Sequence, residues 1–472
     1  MEQKKRNAIL TVLFIGVLMG ALDIAIIGPA LPAIRSGFAV SDRLLSWMFT
    51  IYVLFNLVGT PLMAKLSDQY GRRSIYILDV ALFAVGSLVV AVAPNFAVVI
   101  VGRAIQGFGA GGIFPVASAV IGDTFPPEKR GGALGLIGAV FGLAFLVGPL
   151  LGALLLSIAS WQWLFLINLP VALVVIALSV RALPASRPAE NKAFDWQGML
   201  VLGVMLAALA WGINHLDTHN FFASLLDVNV LPPLVVFAVL VFVLIAIERR
   251  AVNPIIPLDL FDRRQLRLTY VLSAGAGLGE ASLVFMPLLA VVALKSYGIT
   301  EQKGSWMLMP VVLAVAFGSP TAGRLLDKFG SRLVIVSGAL IMTAGMLLLG
   351  LFASNMAMFI IAAILIGLGM SALLGAPMRY IMLNESRPSE RSVAQGVLAI
   401  FASAGQLLGS TLTGAVAASR AQVAGEAAGY SLAFLVIGGF GVLLVALSIL
   451  LKDRAAEQAT VRQNETARQA AV

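Results

Sequence analysis

Three ionisable side chains stand inside long apolar stretches of this sequence. Asp23 and Glu280 are acids, Arg103 is a guanidinium, and apolar or small residues flank each of them on both sides. A charged group at the centre of a bilayer costs at least about 2.5 to 3.5 kcal/mol, so an acid there should face a cavity or a partner. An arginine in the same setting requires an anion or a carbonyl oxygen. The chemistry that these residues predict is proton binding together with charge pairing.

Other kinds of site chemistry find little support in the sequence. The chain has no Cys, which excludes disulfides and thiolate nucleophiles, and its two His are His215 and His219. These flank Asp217 at a helical spacing, which fits either a surface metal site or a solvated loop, and we favour the loop. No Ser/His/Asp set or phosphate-binding loop stands out, so the sequence predicts no enzyme, no metal site and no redox chemistry.

A charged turn occurs twice, once as AKLSDQYGRRS at residues 64–74 and once as GRLLDKFGSR at residues 323–332. The matched positions are Asp68 with Asp327, Gly71 with Gly330, and Arg73 with Arg332. Gly148 and Gly409 form a further pair at nearly the same offset. The chain therefore consists of two related halves, and parallel repeats of this kind build one large class of transporters.

The composition of this turn has a direct physical meaning. Gly71 allows the backbone to reverse with a positive φ, and Arg72 and Arg73 keep the turn at the aqueous face. A carboxylate at the end of a span can also cap the N-terminus of a helix in the other half. Asp68 has more charged neighbours than Asp327, so we expect Asp68 to be the stronger conformational lock.

The overall composition identifies a polytopic membrane protein. Apolar residues make up 60% of the chain and charged residues 12%, with a mean hydropathy of +0.98, whereas an ordinary globular chain is roughly a quarter charged. The net charge of +9 lies in short loops between apolar runs, which is the pattern of a membrane protein rather than of a nucleic-acid-binding protein. The first apolar run is too long for a signal peptide and is predicted to remain as a span.

Apolar runs long enough to cross the bilayer predict fourteen transmembrane helices in an all-α fold. They lie near residues 8–34, 44–66, 74–93, 97–122, 132–157, 162–180, 196–213, 229–247, 268–294, 305–326, 333–353, 356–382, 392–418 and 430–451. This pattern divides the chain into a six-helix bundle (1–181), a linker with two additional helices (182–267), a second six-helix bundle (268–451) and a polar, frayed tail (452–472).

The positive charges predict the orientation. With the N-terminus in the cytoplasm, 25 of the 32 Lys and Arg fall on the cytoplasmic side, five fall in outer loops, and Arg103 and Arg379 fall within spans. The excess of Lys and Arg in cytoplasmic loops decides the topology of most membrane proteins. Both termini are therefore predicted to be cytoplasmic, in the inner membrane of the cell.

The order L-S-D-x-x-G-R-R after one span and before the next resembles the loop between the second and third spans of the major facilitator superfamily. The arrangement of six, two and six spans resembles the fourteen-span drug:proton antiporter branch of that superfamily. This resemblance implies two six-helix bundles around a central cavity, joined by two inserted helices. It also implies that the repeated loop, with Asp68, Gly71, Arg72, Arg73 and Asp327, locks the conformation.

Motifs in the first and fourth spans carry the resemblance further. The stretch ALDIAIIGPALPAI is similar to the branch motif L-D-x-T-I-V-N-x-A-L-P, which implicates Asp23 in transport. The stretch RAIQGFGAG matches R-x-x-Q-G-x-G-A-G, which implicates Arg103 in proton coupling. The alternatives are an Asp23 that only packs against a neighbouring hydroxyl group and an Arg103 that is purely structural.

The fifth span resembles the motif that marks antiporters rather than symporters. Its glycines and proline, Gly142, Gly148, Pro149 and Gly152, imply a hinge, although Ala153 replaces the last glycine of the motif. The second half has Ser410 where Pro149 stands, so one half keeps the hinge. Pro149 removes a backbone donor and is expected to bend the helix.

The sequence also departs from the branch pattern. Ala25 and Gly28 replace the Thr and Asn of the first-span motif, which predicts a more apolar cavity wall and disfavours a polar substrate. Glu280 lies near the middle of its span and is a second candidate for proton or substrate binding, or a hydrogen-bonded structural acid. Asp79 is interpreted as structural, paired with the nearby Arg72 or Arg73 or hydrated.

Together these features predict a proton-driven exporter of lipophilic or amphipathic compounds such as drugs. The proton gradient drives it without a cofactor, and its partners are protons, membrane lipids and a small lipophilic substrate, with no nucleic acid. The protein is expected to be a monomer. The alternatives are a lipid or glycolipid exporter of the same fold and, more distantly, a membrane sensor that transports nothing.

Overall fold

The computed structural model describes residues 3–125, 127–185, 195–217, 220–252, 254–386 and 391–460. Within these ranges the chain is helical and contains no β-strand. A chain of such long apolar runs favours helices because a helix satisfies its own backbone hydrogen bonds where the bilayer offers no water.

Seven helices form the first half. They are α1 (Gln3–Phe38), α2 (Asp42–Tyr70), α3 (Arg72–Ala91), α4 (Phe96–Thr124), α5 (Pro127–Ile158), α6 (Trp163–Leu166) and α7 (Asn168–Ala182). Side chains cap two of them: Ser41 Oγ accepts from Leu44 N at the start of α2, and Asn95 Oδ1 accepts from Val98 N at the start of α4. These caps satisfy amide groups that have no partner within the helix.

An insert of three helices separates the halves, and nine helices follow it. The insert contains α8 (Trp196–Asn214), α9 (Phe221–Ser224) and α10 (Leu231–Glu248). The second half contains α11 (Arg264–Ser282), α12 (Met286–Ala293), α13 (Glu301–Gly304), α14 (Met309–Phe329), α15 (Ser331–Phe352), α16 (Met356–Leu373), α17 (Ala376–Glu385), α18 (Arg391–Ala424) and α19 (Glu426–Ile449). Short 3-10 turns at Leu258–Asp262, Leu283–Phe285, Lys295–Tyr297 and Ser305–Leu308 complete the described helical elements.

Thirteen of the described helical segments are long and apolar enough to cross a membrane. They coincide with thirteen of the fourteen predicted spans. The remaining prediction, residues 132–157, falls on α5, whose backbone is helical from Pro127 to Ile158. Only the stretch Val147–Ile158 of this helix stands out as an apolar segment among the described residues.

The two copies of the repeated turn have the same backbone. Gly71 has φ +92° and Gly330 has φ +80°, which confirms the prediction that a glycine allows the chain to reverse at these points. Both residues separate two long helices, α2 from α3 and α14 from α15. A residue with a side chain would be strained at this φ.

The helices that follow these turns also touch in the same way. A Cβ at Gly86 on α3 would lie 2.7 Å from a carbonyl oxygen and 2.5 Å from an amide nitrogen of α4, and a Cβ at Gly345 on α15 would lie 2.9 Å from both kinds of atom on α16. The matched partners are Gly102 with Ala362 and Gln106 with Ile366. The structure therefore repeats itself beyond the loop that the sequence reveals.

The two ends of the bundle can be told apart by their loops. We call the end where α1 turns into α2, at residues 39–41, the distal end, and the end that carries Gly71 the proximal end. At the distal end Arg35 Nη2 donates to Glu426 Oε1 over 2.6 Å, and Tyr430 donates to Asp42. These bonds join the first half to the second.

The insert packs against both halves of the protein. Asn214, at the end of α8, is 1% exposed and holds three groups of α2. Its Oδ1 accepts from Trp47 Nε1 over 3.1 Å, while its Nδ2 donates to Arg43 O and Ser46 Oγ. The same helix also contacts α18 of the second half. α8 therefore lies over the line where the halves meet.

The prediction of a frayed tail is wrong for its first residues. Glu457 is 7% exposed and accepts hydrogen bonds from Ser331 N over 3.1 Å and from Ser331 Oγ over 2.7 Å. Lys452 pairs with Glu385 over 2.5 Å. The tail docks because α15 begins with free amide groups, and a carboxylate satisfies them. Residues 461–472 lie outside the described part of the chain.

Candidate functional site

Asp23 on α1 and Arg103 on α4 form a buried ion pair in the first half. Nη1 of Arg103 lies 2.6 Å from Oδ2 of Asp23, and both side chains are 0% exposed. α4 lies deep in the bundle because its glycines admit neighbouring backbones: a Cβ at Gly107 would lie only 2.2 Å from the carbonyl oxygen of Tyr52. The two residues that the sequence selected separately are therefore partners.

The guanidinium of Arg103 has further partners. Nε donates to the carbonyl oxygen of Met48 over 3.1 Å, and Nη1 donates to Gln106 Oε1 over 2.9 Å. The ring of Tyr52 lies under the group, 4.1 Å from centroid to Cζ, an arrangement that attracts a cation. Nη2 of Arg103 and the hydroxyl group of Tyr52 have no hydrogen-bond partner within the described ranges.

The other oxygen of Asp23 belongs to a network of neutral polar groups. Oδ1 accepts from Gln106 Nε2 over 3.1 Å and from Asn168 Nδ2 over 3.2 Å. Both amides also donate to Ser87 Oγ, over 2.7 and 3.1 Å. Helices α1, α3, α4 and α7 each contribute one or more groups. We call Asp23, Ser87, Arg103, Gln106 and Asn168 the acid–arginine cluster.

Sequence reasoning selected two of these five residues. Gln106 was present in the fourth-span motif but was assigned no role. Ser87 and Asn168 carry no charge, and a single neutral polar residue in an apolar helix is common enough to attract no attention. A signal was available in Gln106, which follows Arg103 by one helical turn and so shares its face.

The electrostatics of the cluster depend on its being complete. Burial removes water from both charges, and the pair is tolerated because the charges neutralise each other and are hydrogen-bonded. Removing one partner from such a pair costs about 3 to 5 kcal/mol, because an uncompensated charge remains inside. Protonation of Asp23 has this effect on Arg103. The pair is therefore sensitive to the loss of either charge.

Glu280 on α11 is the acid of the second half and lies apart from this cluster. Its Oε2 accepts from Gln406 Nε2 over 2.9 Å, and its side chain is partly exposed. Gln406 lies on α18, which approaches α11 closely because Gly405 has no side chain: a Cβ there would lie 1.8 Å from Ala274 O. Glu280 therefore has one described polar partner and is partly exposed, whereas Asp23 has several partners and is fully buried.

The interpretation of Asp79 as paired or hydrated is wrong. The residue is 0% exposed, and neither carboxyl oxygen has a hydrogen-bond partner among the described residues. Arg72 instead reaches Asp123 over 3.1 Å and Ser67 over 2.7 Å, and Arg73 donates to Val180 O over 3.5 Å. The arginines point toward the proximal end because their long side chains reach the aqueous face.

The motif of the fifth span packs against α1. A Cβ at Gly148 would lie 2.4 Å from Cβ of Ala25, and one at Gly152 would lie 2.9 Å from Cβ of Pro29. Helix α5 runs through Pro149 without a break. Gly142 belongs to the same helix, but its packing lies outside the described residues.

The first-span departures from the branch pattern have a structural role. Ala25 is 8% exposed and contacts Gly148, and a Cβ at Gly28 would lie 3.3 Å from Leu308 and 3.4 Å from Val284 O. Small residues at these two positions therefore allow α1 to approach α5 and the second half. The prediction that they form an apolar cavity wall is not met in this conformation.

The remaining predicted positions are placed only in part. Asp68 lies near the end of α2 and Asp327 near the end of α14, but their side chains are outside the described part. His215 contacts Trp211 O through Nδ1 over 2.9 Å and stacks on the Trp211 ring. His219 lies outside the described residues, and the groups that are described contain no cluster able to hold a metal.

Comparison with known proteins agrees with this architecture. The Major Facilitator Superfamily model matches residues 13–292 and, separately, 269–472. The uncharacterized MFS-type transporter YfiU of Bacillus subtilis (strain 168) is 34% identical over 432 residues, which cover 90% of this chain and 82% of that protein. Multidrug resistance protein 3 of the same organism is 29% identical over 422 residues, covering 88% and 80%.

Solved structures share the fold. A D-xylose-proton symporter superposes with a TM-score of 0.69 at 16% identity, covering 94% of this chain and 98% of that one. A bacterial homologue of the human lysosomal transporter Spinster gives 0.66 at 16% identity, covering 98% and 99%. The match to the family model extends over almost the whole sequence. This chain is a multi-pass membrane transporter, not an enzyme, and it belongs to the Major Facilitator Superfamily.

Proposed function

We propose that this protein is a proton-coupled exporter of lipophilic and amphipathic small molecules, in the fourteen-span drug:proton antiporter branch of its family. One observation carries the proposal: a fully buried acid and arginine, Asp23 and Arg103, lie 2.6 Å apart on helices of one bundle. Relatives named as multidrug resistance protein 3 and multidrug transporter protein MdtP, at 29% and 28% identity, support the substrate class.

The proton acts on Asp23. When this carboxylate takes up a proton, its attraction for Arg103 is lost, and the guanidinium retains Met48 O, Gln106 and the ring of Tyr52. A buried cation without an anion is unstable, so the bundle moves toward a conformation that hydrates or re-pairs the arginine. Loss of the proton restores the pair. Binding and release of a proton thus drive the conformational change, and no cofactor takes part.

Helix α1 carries this step to the second half. Six residues beyond Asp23, the carbonyl oxygen of Pro29 accepts from Ser305 Oγ over 3.0 Å. Gly28 lets the second half approach α1 here, because a Cβ at this position would lie 3.3 Å from Leu308 and 3.4 Å from Val284 O. At the end of α1, Arg35 binds Glu426. Movement at Asp23 therefore acts on contacts that hold the two halves together.

Glu280 is the proposed acid of the substrate path. It is partly exposed and has one hydrogen bond, to Gln406, so a cationic group of a drug or a proton can replace that partner. Acids inside spans mark substrate and ion pathways in many transporters. Asp23 couples the proton in this scheme, and Glu280 receives the substrate or a further proton.

The topology follows from the same scheme. We assign α5 as the fourteenth span, because a helix of 32 residues is about 48 Å long and exceeds the bilayer core. Its glycine face against α1 favours antiport. The Lys and Arg distribution supports a cytoplasmic proximal end and an outer distal end. The contact of Arg35 with Glu426 then closes the outer side of a monomer in the inner membrane.

A lipid or glycolipid exporter remains the second candidate from the sequence. It depended on an apolar cavity wall at Ala25 and Gly28, and both residues are instead packed against helices. Drug export is therefore the proposal, and lipid export is one outcome of its test.

The test uses the full-length protein in proteoliposomes, with cationic dyes or labelled lipids, with and without a pH gradient. We expect the gradient to drive dye movement, and Asp23→Asn to slow this movement by about a hundredfold while dye exchange without a gradient continues. Asp227→Asn, an exposed acid of the insert, is the control and should behave as wild type. Movement of lipids but not dyes supports the second candidate, and movement that ignores the gradient rejects proton coupling.

A further inference from the structure

Asp79 occupies a notch between α3 and α4. The residue is 0% exposed, and both carboxyl oxygens lack a hydrogen-bond partner among the residues described. Gly112 of α4 faces the carboxyl group so closely that a Cβ there would lie 2.1 Å from Oδ2. The notch exists because residue 112 has no side chain.

This contact differs from those of three neighbouring glycines of α4. Cβ atoms at Gly107, Gly109 and Gly111 would lie 2.2, 2.6 and 2.6 Å from backbone oxygens of α2 or α3. These three glycines allow two helices to approach closely. Gly112 instead makes room for an acid side chain, and helix packing alone does not require an acid at position 79.

The described groups around Asp79 offer no counter-charge. Tyr76, on the same helix, is the titratable neighbour, and its hydroxyl group donates to Leu13 O over 3.5 Å. From α4 the neighbours are Gly109 and Gly112. Arg72, at the start of α3, reaches Asp123 and Ser67. An unpaired ionised carboxylate is costly in such a place, which favours a protonated Asp79 in this conformation.

Asp79 lies partway along the contact between α3 and α4, which we call the seam of these two helices. On α3 it lies about 12 Å from Ser87 of the acid–arginine cluster and about 10 Å from Arg72 at the proximal end, at about 1.5 Å per residue. Asp123, which pairs with Arg72, is 53% exposed. Asp79 thus lies midway between the acid–arginine cluster and the aqueous phase at the proximal end.

Building on the proposed proton coupling, we propose that Asp79 is a second proton-binding acid of the first bundle, which releases its proton to proximal water when α3 and α4 separate. In this step the carboxyl O–H bond breaks, water takes the proton, and the carboxylate that remains is hydrated by the water that enters the seam. The reverse step reprotonates the acid when the seam closes around Gly112.

Infrared difference spectroscopy tests the titration without any transport assay. The full-length protein in lipid bilayers is titrated from acid to alkaline pH, because a protonated carboxyl group and a carboxylate absorb at different frequencies. We expect a carboxyl band that disappears on titration in wild type and in Asp23→Asn but is missing in Asp79→Asn. A band that persists at every pH at which the protein stays folded, or identical spectra for wild type and Asp79→Asn, overturns the proposal.

Two further variants guard against misfolding of Asp79→Asn. Gly112→Ala keeps the acid but fills the notch, so the same band should titrate at a different pH, and an unchanged titration contradicts the proposal.

In proteoliposomes Asp79→Asn should slow gradient-driven dye movement by about tenfold or more, and Asp79→Glu should restore it. Wild-type speed in Asp79→Asn overturns a role in transport. If wild type itself ignores the gradient, the proposed function fails, and the infrared titration still decides the state of Asp79.

Discussion

The seam between α3 and α4 in the first half and the seam between α15 and α16 in the second half have the same backbone contacts and opposite contents. The first contains Ser87, Arg103 and Gln106, and the second has Met346, Ala363 and Ile366 at the matched positions, where each side chain is at most 1% exposed. Packing alone therefore does not require a polar seam, because the same geometry is filled with apolar side chains in the other half.

This difference separates two tasks within one architecture. A polar network inside a bundle is stable only when every member has a partner, and it responds to the loss of one charge. An apolar seam does not respond to protons at all. The proposed proton coupling therefore involves the first half, while the acid of the second half, Glu280, lies outside the seam and is partly exposed.

The largest effect is expected from replacing Arg103, because the second half has an uncharged residue at the matched position. Arg103→Ala copies Ala363 into the first half and leaves Asp23 as a buried anion, so stability should fall by about 3 to 5 kcal/mol. Combining it with Asp23→Asn removes both charges and should recover much of that loss, but not proton-driven transport. Thermal unfolding of the purified protein measures both changes. Equal stability of the single and double variants would show that the two residues do not form a functional pair.

The converse change places a polar group in the apolar seam. Ile366→Gln introduces the counterpart of Gln106 into a seam that has Met346 and Ala363 in place of Ser87 and Arg103, so an unsatisfied amide should cost about 1 to 3 kcal/mol. Ile366→Leu is the size-matched control and should cost less than about 1.5 kcal/mol. Unfolding curves of the two variants provide the comparison. A tolerated glutamine would mean that water reaches the second seam.

The repeated turns differ in how their second helix is capped. Ser331 receives Glu457 from the tail, whereas Arg72 at the matched position reaches Asp123. Glu457→Gln weakens a charged cap and should lower stability by about 1 kcal/mol, and Asp123→Asn breaks an exposed pair worth about 0.2 to 1 kcal/mol. Thermal unfolding at low and high salt separates them, since salt screens the exposed pair more. The reverse order would show that the tail is only loosely docked.

The smallest expected effect concerns the matched acids of the turns. Asp68→Asn should shift the balance of conformations by roughly two- to fivefold, the equivalent of about 0.3 to 1 kcal/mol for a charge at a helix end, with little change in stability. Asp327→Asn should do less, because its turn has fewer charges. Distances between spin labels on the proximal loops of the two halves measure the shift. An equal shift in both variants would refute the asymmetry.

The fold could be predicted from sequence further than the site could. Apolar runs and the glycine turn at Gly71 are local signals: thirteen of the fourteen predicted spans and the positive φ of Gly71 are found in the structure. The meeting of Asp23 with Arg103 depends on how α1 is rotated against α4, which no local pattern encodes. Asp79 was misjudged because sequence distance to Arg72 says nothing about the direction of a long side chain. The docking of Glu457 depends on free amides at Ser331, which a polar tail composition does not reveal.

The hydrogen bonds between α8 and α2 affect which helices move together during transport. Asn214 joins the insert to the first half through Trp47, Arg43 O and Ser46. A rocking motion would therefore carry the insert with the first half, so that the moving parts are unequal in mass. Cross-links from α8 to α2 should leave turnover intact, whereas cross-links from α8 to α18 should stop it.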